Sequence, residues 1–233
     1  LFSGTITSTD VDANATATYS ITSTVAGFTL NENGTYTFDA ANAAYQSLSA
    51  GQTKVITIPV TVTDDANAKD TQNLVLTVNG TNDAPTVEVI PVSLNEIDFS
   101  TLSDYANAYK IITEAEMFDI MGVEDVDLND NLTLSLVTDT SNFASTTNSG
   151  ILNSNSGVLQ LTEADIAFFE LTNVNVGDFF IYSIGFDGLS ENEIANVSFN
   201  VQVSDGIATT TSTVSLTVNG TNDAPTVEVI PVS

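Results

Sequence analysis

Two short acidic loops carry the residues best suited to chemistry. Asp10-Val-Asp12-Ala-Asn14 and Asp125-Val-Asp127-Leu-Asn129 share one pattern 115 positions apart. Alternate residues of an extended loop point the same way, so Asp-x-Asp-x-Asn turns three oxygens to one side. Hard oxygen donors of this kind suit calcium, which takes about six to eight of them. The loops are not EF-hands, because the sixth and twelfth positions counted from Asp10 are Ala15 and Ile21, not glycine and glutamate. The chain has no histidine and no cysteine, which excludes Ser-His-Asp and Cys-His catalysis. Paired carboxylates can hydrolyse glycosides. With 30 acidic residues some close pair is inevitable, so the sequence is read as non-enzymatic.

What positions these loops is a repeat. Leu76–Ser93, LTVNGTNDAPTVEVIPVS, returns unchanged as Leu216–Ser233, the mark of an array of related units. LTVNG alternates like a half-buried strand. GTNDAP is a stiff polar turn, and TVEVIPV is extended again. Each unit therefore ends on a strand, crosses an oxygen-rich joint and opens the next unit on a strand. The joint divides the 233 residues into a first unit at 1–85, a longer second unit at 86–225, and an opening strand of a following repeat at 226–233. The expected fold is all-β: two tandem antiparallel β-sandwich domains of cadherin/Ig-like type, with short helical insertions.

The strands follow from alternation. Phe2–Thr9, Thr16–Thr22 and Asn73–Asn79 alternate, and Lys54–Thr63 sets Ile56, Ile58, Val60 and Val62 on one face. Pro59 implies an edge or a bulge at its position. Asn33-Gly34 predicts a hairpin between 27–31 and 35–39. Ala40–Leu48 reads as one or two helical turns capped by Asp39. In the second unit 150–161 mirrors 27–38, Val197–Val203 mirrors 56–62, and Val214, Leu216 and Val218 mirror Leu74, Leu76 and Val78. The extra stretch 94–121 carries a capping box at Thr113-Glu-Ala-Glu116, and Thr162-Glu-Ala-Asp165 starts a second short helix.

Only 3 basic residues oppose the 30 acidic ones, a formal net charge of −27, yet 42% of residues are hydrophobic. Such a chain folds, with an anionic surface. It does not suit nucleic acid, an anionic membrane would repel it, and no segment approaches the ~20 apolar residues of a spanning helix, so no membrane insertion is expected. Absent cysteine fits a secreted bacterial protein stiffened by metal instead of disulfides.

GTITSTDVD, GFTLNENGTYTF, YQSLSAGQT, VTVTDD and LTVNGTNDAPTV together resemble the VCBS-type repeats of giant bacterial RTX adhesins, over nearly all of 1–87. The second unit resembles a longer, divergent cadherin-like relative through its acidic loop, VQVSDG and its joint. The resemblance implies secreted, cell-surface extender domains with Ca2+ at the joints, serving attachment or biofilm formation. It also implies ligand sets. At the joint these are Asn79, Asn82 and Asp83 from the linker, with Asp125, Asp127 and Asp205 from the next unit. At the N-terminal end of the first unit they are Asp10, Asp12 and Asp64, and at the C-terminal end Asn219, Asn222 and Asp223. Glu88 and Glu96 are candidates for a missing carboxylate. The chain departs from the cadherin pattern at Asn79, where that linker begins with Asp. It also lacks the mid-domain acidic triplet and the nonapeptide GGxGxD, which implies the extender region and not the calcium roll.

Two functions follow. One is a calcium-rigidified extender whose partners are neighbouring repeats of the same chain. The other makes 86–225 a glycan- or protein-binding module, using Tyr105, Tyr109, Met117, Phe118 and Met121 of the insertion. Leu1 begins mid-pattern, as in a piece of a longer array. Joining Ser233 to Leu1 restores an intact start, TVEVIPVSLFSGTITSTDVD, which predicts a 233-residue period and head-to-tail self-association through the tail.

Overall fold

In the computed structural model, residues 1–12, 14–96, 100–101, 108–137, 142–145, 156–183, 186 and 189–222 are described. The chain forms two compact units: Leu1–Asp83 with Asp125–Asp130, and Ala84–Glu124 with Asn131–Ser233. The loop Asp125–Asp130 thus belongs to the first unit, although it lies far along the sequence.

The first unit is a sandwich of two three-stranded sheets. In one, β4 (Thr35–Phe38) lies between β1 (Phe2–Thr5) and β3 (Phe28–Leu30). In the other, β5 (Thr53–Asp64) lies between β2 (Ala17–Ile21) and β6 (Lys69–Asn79). All pairings here are antiparallel. The inward rows of both sheets, Tyr19, Ile58, Val60 and Val78 against Phe28 and Phe38, form one core with Tyr45.

Local chemistry explains the turns. Gly34 takes φ +83°, and an added Cβ would meet the Ile6 carbonyl oxygen at 2.4 Å, so the Asn33-Gly34 hairpin requires glycine. Asn33 Oδ1 accepts from the Thr35 amide at 3.0 Å. Pro59 pairs with Asn73 on the β6 side, while pairing with β2 begins only at Val60. The missing N–H therefore falls where β5 has one neighbour, as the edge reading requires. The alanine-rich stretch gives a single 3-10 turn at Ala43–Tyr45, capped by Asn42 and not by Asp39. Asp39 instead accepts from the Ala41 amide at 3.1 Å. This local turn competes with helix initiation and moves the cap three residues on.

The second unit also stacks sheets. β16 (Ile194–Ser204) and β17 (Thr209–Asn219) form the long hairpin that matches β5 and β6. β12 (Thr133–Leu136) and β13 (Asn142–Ser145) pair with β16, and β8 (Val92–Asn95) adds to β17 in parallel. The facing sheet has the order β14 (Ser156–Gln160), β15 (Phe179–Ser183), β10 (Ala108–Ile112) and β9 (Ser100–Thr101). A two-stranded pairing joins β7 (Thr86–Val87) to β11 (Val123–Glu124). The expected opening strand 86–93 is therefore two short pieces, β7 and β8. Its middle binds elsewhere: Glu88 and Ile90 donate to the Met121 and Ile120 carbonyls at 3.0 and 2.7 Å.

Helices α1 (Glu114–Met121) and α2 (Glu163–Phe168) both start with complete capping boxes, at Thr113/Glu116 and Thr162/Asp165, as their sequences predict. Met117 and Met121 of α1 are fully buried among Phe179, Ile181, Val197 and Phe199, and Tyr109 stacks on Phe180 with centroids 5.2 Å apart. The insertion thus supplies core. Tyr105 and the tail 223–233 lie outside the described residues. No helix among the described residues is long and apolar enough to cross a membrane.

Candidate metal centre

The site grows from the end of β6. Gly80 donates its amide to the Gln52 carbonyl at 2.8 Å, and a Cβ there would lie 2.2 Å from the Leu48 carbonyl oxygen. Only glycine lets the joint pass so close to 48–49. The following residues then meet the loop 125–130, which is lashed to the same wall. Leu128 donates its amide to Ser47 at 3.3 Å, and Ser49 Oγ donates to the Leu128 carbonyl at 2.9 Å.

Within the loop the expected alternation holds for Asp125 and Asp127 but not for Asn129, which is exposed. Asp125 Oδ1 accepts from the Asp127 amide at 2.9 Å, and Asp127 Oδ2 accepts from the Asp83 amide at 2.8 Å. Val126 and Leu128 point outward, 49% and 59% exposed, while Asp127 is 5% exposed. Asn129 takes φ +70°, tolerable for asparagine, and the chain turns so that Asp130 joins the group. One carboxylate oxygen from each of Asp125, Asp127 and Asp130 lies within 4.8 Å of the others. Asp125 Oδ2, Asp127 Oδ1 and Asp130 Oδ2 are buried and have no hydrogen-bond donor.

Buried carboxylate oxygens without donors are costly. Ionised carboxylates this close also repel, by about 1 to 3.5 kcal/mol per pair for effective dielectrics of ~80 down to ~20. The three lysines, Lys54, Lys69 and Lys110, are the whole supply of basic side chains, and Lys54 Nζ stands over the Tyr45 ring. An all-oxygen anionic donor set fits a hard divalent cation, Ca2+ before softer metals. Asp125, Asp127 and Asp130 would hold it. Asn82, whose Nδ2 donates to the Asp83 carbonyl at 2.9 Å and whose Oδ1 is buried, is placed on the same joint.

The other predicted ligands are arranged differently. Asp10 and Asp12 repeat the loop's local geometry, with the Asp12 amide on Asp10 Oδ1 at 2.9 Å and Asn14 at φ +67°, but both carboxylates are exposed. Asp64 accepts from the Ala68 amide at 2.8 Å, and Asp205, in the second unit, accepts from Ile207 and Ala208 at 2.6 Å. Each stabilises its own hairpin turn. Asp10, Asp12 and Asp64 do not form a three-carboxylate group; among the described residues that group is Asp125, Asp127 and Asp130. Asn79 closes β6 opposite Thr53 and is exposed. Asn222 lies just past the second joint's Thr221, and Asp223 is outside the described residues.

Asp130 was not among the predicted ligands, although its place directly after the Asp-x-Asp-x-Asn run was a usable signal. Glu96, one of the two candidates for a missing carboxylate, lies at the second joint. It is 5% exposed, its Oε1 accepts from the amide and, at 2.6 Å, the hydroxyl of Thr221, and its Oε2 is buried without a donor. From its place directly after β8 it holds the second joint at Thr221. Glu88, the other spare carboxylate, is exposed.

No family model and no curated protein matches the chain. Among solved structures it is similar to human protocadherin-24 EC1-2, at 14% identity over 95% of this chain and 88% of that one, with a TM-score of 0.43. It is also similar to the extracellular cadherin domains 1–4 of protocadherin gamma B7, at 14% identity over 87% of this chain and 40% of that one, with a TM-score of 0.40.

Proposed function

We propose that the chain is a pair of extender repeats of a bacterial cell-surface adhesin of RTX type, holding a distal ligand-binding region away from the cell for attachment or biofilm formation. Calcium bound by Asp125, Asp127 and Asp130 locks the loop 125–130 against the joint 79–83 and stiffens the passage from one repeat to the next. The observation that carries this reading is the group of three carboxylates, each keeping one buried oxygen without a donor. The duplicated joint and the VCBS-like motifs support an array, and the role is mechanical and not catalytic. Burial of Met117 and Met121 supports a structural role for the insertion over a recognition face.

The test is calcium titration by calorimetry, with small-angle scattering of the same samples. Binding lost in Asp125→Asn/Asp127→Asn, together with a longer particle in calcium than in chelator, is the expected result. Equal binding by that variant, or a particle whose dimensions ignore calcium, overturns the reading.

A further inference from the structure

In the second unit one segment leaves the facing sheet and returns to it at the same place. β14 and β15 pair up to Gln160 opposite Phe179. Just beyond, the Leu161 amide donates to the Asp178 carbonyl at 2.8 Å and the Gly177 amide to the Leu161 carbonyl at 2.9 Å. The chain between these bonds, 162–176, is an Ω-loop, a surface excursion of ~6–16 residues whose ends meet. Its base is firm. Leu161 and Asp178 are buried, and Asp178 accepts from the Glu114 and Asn175 amides at 3.0 and 2.8 Å. The excursion itself is lightly built. Its helix α2 has no buried residue, and Phe168 is 63% exposed. The helix ends in a Schellman arrangement, with Leu171 donating to the Ile166 carbonyl at 3.0 Å and Glu170 to the Ala167 carbonyl at 3.4 Å. The left-handed position of that motif, φ +52°, is held by Glu170 and not by glycine, which strains the turn. Asn173, at φ +60°, bends the chain back toward the base.

Beneath the excursion the sheet is aromatic. Along β15, Phe179 and Ile181 enter the core, so Phe180 and Tyr182 project from the opposite face. They stand beside Ile111 and Tyr109 of β10, their partners in register. Phe180 is nonetheless fully buried. The Phe169 ring stacks on it with centroids 5.0 Å apart, and Tyr109 stacks on it at 5.2 Å. We propose that residues 162–174 are a hinged cover that opens as one unit while the sandwich stays folded. Phe169 is its latch, Asn175 and Asp178 its fixed base, and opening bares an aromatic surface of Phe180, Tyr109 and Tyr182. A segment with few buried side chains and joined ends opens at lower cost than the core that carries it, and strain at Glu170 lowers that cost further. The cover is thus a conformational device of the second unit, separate from the metal centre.

Hydrogen exchange of the full chain, followed by mass spectrometry in low denaturant, tests this. The amides of Ile166, Phe169, Glu170 and Leu171, all bonded within the cover, should exchange about tenfold or more faster than those of β16. Their exchange should also depend less on denaturant, because opening exposes less surface than unfolding. Phe169→Ala should abolish most protection in 165–171 while β15 and β16 stay protected. In radical footprinting, Phe180 should pass from unlabelled to labelled in the same variant. Glu170→Gly, which relieves the left-handed strain, should slow exchange of the cover severalfold. Cover amides with the same protection and denaturant slope as β16 overturn the proposal. So does a Phe169→Ala chain whose β16 protection is lost together with that of the cover, one in which Phe180 stays unlabelled, or a Glu170→Gly cover that exchanges no slower than the parent's.

Discussion

Asp127→Asn is the sharpest perturbation of the metal centre, because it removes one charge while keeping the shape. The Asp127 carboxylate faces those of Asp125 and Asp130 within 4.8 Å. Removing it relieves two repulsive pairs, roughly 2 to 7 kcal/mol in the absence of cation. The Asp83 amide keeps an acceptor in the amide oxygen, at a loss of about 1 kcal/mol for the charge-assisted bond. In chelator the variant should therefore be at least as stable as the parent. In calcium the order reverses. The parent gains RT ln(1 + [L]/Kd), about 2.7 kcal/mol at a hundredfold excess over Kd, which for a unit under ~100 residues raises Tm by about 10–20 °C. The variant, with one fewer anionic ligand, should gain far less. Melting curves by circular dichroism, in chelator and in calcium at matched ionic strength, test the crossing, and matched salt removes general screening. A variant less stable than the parent in chelator, or one with the same calcium gain, would refute the reasoning.

Three further outcomes are expected. Hydrogen bonds from the Thr113 amide and hydroxyl hold the Glu116 carboxyl below its usual range, so its contribution to α1 is present above the ordinary glutamate range and lost as pH falls through the lowered value. Stability of Glu116→Gln, followed by urea titration, should lack that acid limb, and Thr113→Ala should cost about 1 kcal/mol at neutral pH. Burial pushes the Tyr45 phenol up, and its hydroxyl donates to the Ala26 carbonyl at 2.7 Å. Tyr45→Phe should lose about 1 kcal/mol and abolish the decline in stability as pH rises through the raised value, measured by alkaline denaturation. Gly80→Ala should destabilise the first unit by about 1–3 kcal/mol in a thermal melt, since its Cβ would strike the Leu48 and Ser49 carbonyl oxygens at 2.2 and 2.3 Å.

Most of the sandwich was legible because a half-buried strand writes its faces into alternate residues. β5, the Asn33-Gly34 hairpin and both capping boxes appear where their patterns stand. Sheet partners were less so. Nothing in VEVIPVS says that its last residues lie parallel on β17 while its first pair with β11, because alternation reports which face is buried and not which strand is adjacent. The twin acidic loops show the same divide. Both loops share a hydrogen bond from the amide of the second Asp to the carboxylate of the first and an Asn at positive φ, at Asp10, Asp12 and Asn14 and at Asp125, Asp127 and Asn129, which local chemistry dictates. Only the second buries an aspartate, Asp127, because that depends on Ser47, Ser49 and Asp83, distant in sequence. Asp39 failed as a cap because its side chain found a closer amide at Ala41, a competition of a few ångströms that residue type alone does not resolve.

Residues 125–130 complete the first unit, so the segment that can be copied and the body that folds are out of phase. A recombination event within the 18-residue duplicate would give the first unit a new neighbour and, with it, a new loop to finish its own surface. Neighbours are then interchangeable only as far as their loops carry the Asp-x-Asp-x-Asn-Asp pattern and the Leu128-type anchor to Ser47 and Ser49. In the array we propose, six residues act as a compatibility key, and the order of its cassettes is constrained at the joint even where the bodies of the repeats diverge.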